Sequence, residues 1–328
     1  MTIYSAQSGD WSSTSTWVGG VVPNLNTDDV VIAAGHTVTI QSGSSLTLAP
    51  GRWLSVDASG TLEVAGSLQL DSGSSTSIDG GLSVASGYTL NVYGELTVNS
   101  GGWLDCYGSV YFDSGNGPTI NGSLYVGVNG SLYVSNSTNL TVNGSLYVDS
   151  NGYLYLNWYA NLYLNGTGTI WGYVSVEYYS YLYVHSQLTV ELGAGLYSNY
   201  SACTQVESGG VLTLIGWMDV YDGATLYVAS GGRMRIEREG GLGVSYYANV
   251  TVEGVMDAFG YFSLNNDAYL NVYGDGRIQA YRSLYISGQM FGGGRIEMLR
   301  REAQILDYNG NRLIVFDRAY GYAPTLIA

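Results

Sequence analysis

The sequence predicts an all-β chain: a single-stranded right-handed parallel β-helix, a solenoid of about 11 three-strand coils of 20–24 residues, capped at both ends. Three observations predict it. A Leu-x-Val-like tripeptide recurs more than thirty times, every step between successive copies is 6 or 8 residues, and three successive steps always sum to 20–24. From Leu46 to Leu284 the count is 33 steps over 238 residues, or 11 coils of about 21.6 residues.

Each repeat reads apolar, exposed, apolar, the two-residue alternation of a short strand with one buried face. An even step keeps side-chain parity, so no connection turns the buried face outward. Pieces such as Asn143-Gly144-Ser145 and Ser150-Asn151-Gly152 are rich in residues that tolerate positive φ and close tight turns. A meander of antiparallel hairpins would also accept even steps, but it normally uses strands of about 5–6 residues. The shorter repeats, held in phase along most of the chain, favour the solenoid. At ~4.8 Å per coil its length would be roughly 50 Å.

Residues 1–45 form the expected N-terminal cap and first strands, because an open solenoid must cover its first edge and the end of its core. Trp11 and Trp17 are the residues expected to fold over the first coil. The segment Ser8-Gly9, Trp11, Thr16-Trp17, Gly19-Gly20, Pro23, Asp28-Asp29-Val30, Ile32 and Gly35-His36-Thr37-Val38 resembles the opening of the glycine-rich extracellular domain family named for its eight glycines. It is also similar to the openings of β-helix proteins of phage virions and microbial surfaces. The resemblance covers about 35 of 328 residues, implies a capped β-helix start, and transfers no catalytic residue.

Residues 46–290 are the expected β-helix. If three repeats make one coil, every third repeat shares a face, and its outward residue can be followed down that face. The first face then carries Thr47, Gln69, Asn91, Tyr111, Tyr133 and Tyr155 in sequence, so the three tyrosines stack in adjacent coils. The second face places Tyr163 above Tyr183, and the third pairs Tyr125 with Tyr147. These seven tyrosines are the candidate contact surface. Three readings stay open for them: rings that merely protect the sheet, a subunit interface, or a glycan-binding surface.

Residues 291–328 are the expected C-terminal cap. The repeat ends near Gly292-Gly293-Gly294, a hairpin is expected around Asn309-Gly310, and the apolar tail from Ala323 to Ala328 is expected to dock on its own core or on another subunit.

Charge narrows the partners. The chain has no lysine, and residues 1–230 carry 16 acids against the single Arg52, whereas residues 231–328 carry 10 of each sign. So acidic a surface repels nucleic acid and anionic lipid. Arg300 and Arg301 are expected at an end cap or subunit contact. No apolar run reaches the ~18 residues of a membrane span, and the first residues lack the basic and apolar regions of a signal peptide.

Catalytic and metal patterns are not evident. His36 and His185 are about 150 residues apart, Asp28-Asp29 points neighbouring acids to opposite faces, Glu237-Arg238-Glu239 sets each acid beside an arginine of opposite face, and Cys106 and Cys203 are expected to be free thiols. No phosphate loop, Cys-x-x-Cys pair or calcium-binding nonapeptide occurs, so no metal or cofactor is expected. Asn-x-Ser/Thr sequons occur at Asn121, Asn129, Asn136, Asn139, Asn143, Asn165, Asn199 and Asn249; they read as glycan acceptors or as turns of the repeat, the latter being preferred.

The expectation is therefore a non-enzymatic structural or attachment protein. Its first form is a phage virion component, a fibre, spike or capsid decoration assembled in the host cytoplasm. The alternative is a microbial cell-surface adhesin or extracellular filament subunit, and the third is a polysaccharide lyase or hydrolase. Expected partners are copies of itself, other virion or surface proteins and cell-surface glycans, with no nucleic acid and no membrane.

Overall fold

The computed structural model describes residues 1–113, 117–265, 267–300, 304–306 and 312–314. The chain divides into two compact units, Met1–Thr167 and Gly168–Ala328. Each is built from three parallel sheets to which every coil contributes one strand. In the N-terminal unit the first coil in the repeating phase runs Ser45–Leu48, Trp53–Val56, Thr61–Val64, and these strands define the first, second and third sheets.

Almost every strand has four residues, with the second and fourth buried: Thr61–Val64 buries Leu62 and Val64, and Asn161–Leu164 buries Leu162 and Leu164. The core is thus a set of inward Leu, Val and Ile rows, each side chain contributing about 1.5–3 kcal/mol by leaving water. Parallel registry is kept by the even steps. Ser45 pairs with Ser67, Thr89 with Ser109, and Gln187 with Val211, which are steps of 22, 20 and 24 residues.

Pairing begins before the regular repeat. Thr2–Tyr4 pairs with Asp29–Ile32, and Gly9–Asp10 with Thr37–Ile40, so the N-terminal segment supplies strands to two sheets. It also supplies two short 3-10 turns and the buried pair Trp11 and Trp17. In the C-terminal unit, Arg277–Ala280 pairs in parallel with Arg295–Met298, past the triple glycine. Ile305–Leu306 then pairs antiparallel with Arg312–Ile314, as a hairpin there requires; its turn at Asn309-Gly310, Arg301 and the tail 323–328 lie outside the described residues.

The corners are of two lengths, two or four residues for the most part. The two-residue corners Asn121-Gly122, Asn143-Gly144 and Asn165-Gly166 stack so tightly that a Cβ on Gly144 would stand 1.9 Å from the Gly122 carbonyl oxygen. Glycine is needed there for space. Four-residue corners joining the second sheet to the third, or the third to the first, place one residue at positive φ, usually glycine: Gly43 at 81°, Gly87 at 85°, Gly101 at 90° and Gly209 at 84°.

Corners joining the first sheet to the second differ. From Ser135 onward they hold two consecutive residues at positive φ: Asn136 and Ser137, then Trp158 and Tyr159, in the N-terminal unit. In the C-terminal unit they hold Tyr178 and Tyr179, Tyr200 and Ser201, Asp222 and Gly223, and Tyr246 and Tyr247. A bulky L-residue in this region costs roughly 1–2 kcal/mol.

Candidate contact surface

The register places the seven predicted tyrosines as follows. On the first sheet Tyr111 pairs with Tyr133 and Tyr133 with Tyr155, each outward-facing. Their ring centroids are 4.7 and 5.0 Å apart, both pairs 6° from parallel. One ring per coil at the strand spacing forces this offset stack, worth ~0.5–1.5 kcal/mol per pair beyond area. On the third sheet Tyr125 stacks on Tyr147 at 5.4 Å and 18°. Tyr163 and Tyr183 belong to different compact units; within its own, Tyr183 stacks with Tyr181 at 5.6 Å and with the His185 ring at 6.3 Å.

The cap tryptophans do not join this surface. Trp11 and Trp17 are 3% and 2% exposed, meet edge to face at 4.8 Å, and Trp17 donates its indole N–H to the Trp11 carbonyl at 2.7 Å. They act as core.

Two carboxylates border the third-sheet tyrosines. Asp105 lies in the same outward row as Tyr125, and burial raises its carboxyl to about 6. Asp149 accepts a hydrogen bond from the Tyr125 hydroxyl, which holds its carboxyl below the usual range and pushes the phenol up. A raised acid beside a lowered one is a pattern that hydrolases use. Here, however, Asp149 is occupied by the phenol and lies in the corner after Ser145–Val148, while Asp105 is half-buried on the outward side of Trp103–Cys106.

Other predicted chemical groups are held within the fold. His36 Nδ1 lies 2.8 Å from the Ser5 hydroxyl, Asp28 accepts the Asn24 backbone N–H at 3.0 Å across a turn, and Cys106 is a buried free thiol. Asn143 donates to Asn121 Oδ1 and Asn165 to Asn143 Oδ1, both at 2.8 Å. Those three sequon asparagines therefore form a corner ladder in which the amide nitrogens of Asn143 and Asn165 are engaged. Among the described residues, no group of three or more His, Cys, Asp or Glu converges as a metal site.

The aromatic corners were not among the sequence-predicted site residues. In the C-terminal unit Tyr179, Tyr200, Tyr246 and Tyr247 are 44% to 66% exposed, more open than most of the stacked face tyrosines. A signal was present in the sequence: Trp158-Tyr159, Tyr178-Tyr179 and Tyr246-Tyr247 occupy the middle of connections where other corners carry Ser-Gly or Asn-Gly. Counting strand repeats passes over them because they lie between repeats.

No protein-family model matches the chain, and no curated protein matches it. The resemblance of residues 8–38 to the eight-glycine family thus gains no support from a family model. A crystal structure of a TibC-catalysed hyper-glycosylated TibA fragment is similar at 17% identity over 92% of this chain and 93% of that one, with a TM-score of 0.26. A superposition that loose supports no inference about function, so the surface must be interpreted from its own residues.

The C-terminal unit also has open depressions. One of 370 Å³ is lined by Tyr261, Tyr281, Tyr285, Arg282 and Arg300, and Tyr261 stacks on Tyr285 at 5.4 Å. Another, of 470 Å³, mixes Glu253, Asp275 and Glu297 with Arg277 and Arg295. In the latter, opposite charges alternate and offset one another.

Proposed function

We propose that this chain is a non-enzymatic structural and attachment element, displayed on the outer surface of a microbial cell or of a virion, that works by contact through its exposed tyrosines. The observation that carries the reading is the Tyr111, Tyr133, Tyr155 ladder, three near-parallel rings on a flat sheet face whose flanking connections are too short to build a cleft. Tyrosine offers large contact area at low entropic cost, with a hydroxyl for polar partners. Hydrolysis of a glycosidic bond needs two carboxyl groups flanking it. The Asp105 and Asp149 pair lacks that enclosure, and Asp149 is already engaged.

Antibody labelling of the source organism and its phages in electron micrographs tests the location. Label on cell exteriors would support an adhesin or filament subunit, label on particles a virion fibre, spike or decoration, and label confined to the cell interior would refute surface display. Contact without catalysis has its own readout. Purified protein should release no reducing ends from cell-wall polysaccharide; release abolished by Asp105→Asn or Asp149→Asn would overturn the reading.

A further inference from the structure

We infer that the aromatic corner of the C-terminal unit is a binding strip for neutral polysaccharide. The inference rests on the contact reading above and gives it a ligand class and an address.

The strip is defined by backbone hydrogen bonds. Tyr179 N–H donates to the Tyr200 carbonyl at 3.2 Å, Ser201 N–H to the Asp222 carbonyl at 3.1 Å, and Gly223 N–H to the Tyr246 carbonyl at 3.0 Å. Successive corners are therefore direct neighbours, and the rows of Tyr178, Tyr200, Asp222 and Tyr246 span three strand spacings, ~14 Å. That is room for a short oligosaccharide rather than a single sugar. Tyr178 and Tyr200 stack at 4.6 Å and 11°, and Asp222 offers a carboxylate acceptor between that stack and Tyr246-Tyr247.

Folding alone does not require these rings. At the second of the two positive-φ positions, where Tyr179 and Tyr247 stand, the intervening corner carries Gly223 at φ 74°, so the turn also accepts glycine. Tyr246 and Tyr247 sit there at φ 53° and 61° while 66% and 65% exposed, so little burial offsets the unfavourable backbone. Bulky residues kept in such a conformation point to a use outside the fold.

The class of ligand follows from charge. The chain has a formal net charge of −15, and no lysine or arginine occurs between Arg52 and Arg233, so of corners 177–180, 199–202 and 221–224 two carry an acid, Glu177 and Asp222, and none a base. Nucleic acids and anionic polysaccharides are repelled by such a surface. A neutral polysaccharide is not: its C–H faces lie on phenol rings and its hydroxyls donate to Asp222 and the phenol oxygens. Glu177 is less available, since it already accepts from Ser175 at 2.6 Å.

The test is affinity electrophoresis of the full chain through gels containing hydroxyethylcellulose, galactomannan or soluble starch, with alginate as the anionic control. Retardation by at least one neutral polymer is expected, insensitive to salt. It should weaken at least tenfold in Tyr178→Asn/Tyr200→Asn and in Tyr246→Asn/Tyr247→Asn. Asparagine tolerates positive φ, so the melting temperature of the Tyr246→Asn/Tyr247→Asn variant should be unchanged or raised. The inference is overturned if no neutral polymer retards the protein, or if retardation survives both double substitutions. It is equally overturned if retardation vanishes only along with a fall in that melting temperature, or if polylysine binds in a salt-sensitive way where the neutral polymers do not. Retardation lost instead in Tyr111→Ser/Tyr133→Ser/Tyr155→Ser would refute the strip and leave the contact reading standing, whereas reducing ends released in the gel assay would sink the contact reading itself.

Discussion

Two of the corner types that join the strands of this solenoid turn the chain by different means. At Asn121-Gly122, Asn143-Gly144 and Asn165-Gly166 the chain passes so close to the next coil that glycine is obligatory, and the asparagines beside the glycines bond to one another in a ladder. At Tyr178-Tyr179 and Tyr246-Tyr247 the chain instead turns through two consecutive residues at positive φ, which the Asn-Gly corners do not use, and does so with bulky residues. The first kind relieves crowding and closes a polar ladder, which lowers the free energy of the fold. The second kind adds backbone strain and, at Tyr246-Tyr247, leaves both rings largely in water. The difference separates corners selected for folding from corners selected for contact.

The largest expected effect lies at the glycine corner. Gly144→Ala places a methyl 1.9 Å from a backbone oxygen that cannot move without shifting its coil, and should lower stability by about 3 kcal/mol in urea unfolding. A loss below 0.5 kcal/mol would show that these corners are looser than their spacing implies.

Next comes Asp105, whose row adjoins the Tyr107-Gly108 corner. Its carboxyl titrates at about 6 in the fold and near 3.8 when unfolded, so the fold favours the protonated form. That contribution is complete below about pH 4, declines as pH rises through 6, and is gone above pH 7. Asp105→Asn should therefore be more stable than the parent at pH 8 by about 1–2 kcal/mol, after allowance for the partly solvated carboxylate, with the advantage vanishing at pH 4. The same gain at both pH values would contradict burial as the cause.

Asn143→Ala removes two ladder bonds at an exposed corner and should cost about 1 kcal/mol. The smallest effect has the opposite sign. Tyr247→Asn relieves a strained residue that is 65% exposed and should raise stability by about 0.5 kcal/mol.

Much of this architecture was legible in the sequence because side-chain parity is a local rule. The steps of 6 and 8 predicted which residues share a face, and the register pairs Thr47, Gln69, Asn91, Tyr111, Tyr133 and Tyr155 in that order. The Asn-Gly-Ser pieces were legible as turns for the same reason. Three things were not. The strands Thr2–Tyr4 and Gly9–Asp10 lack the repeat and join the sheets only through long-range pairing. Asp105's raised carboxyl depends on neighbours that sequence does not bring together. The aromatic corners required backbone φ values: dipeptides such as Tyr246-Tyr247 read as strand formers, and only the fold places them in left-handed turns.

The most direct measurement is the melting temperature of the Tyr246→Asn/Tyr247→Asn protein beside the parent. If these rings are held for contact at some expense to the fold, the variant melts at the same temperature or higher; a fall of several degrees would show that the rings stabilise the corner and would contradict the distinction drawn between the two kinds of turn.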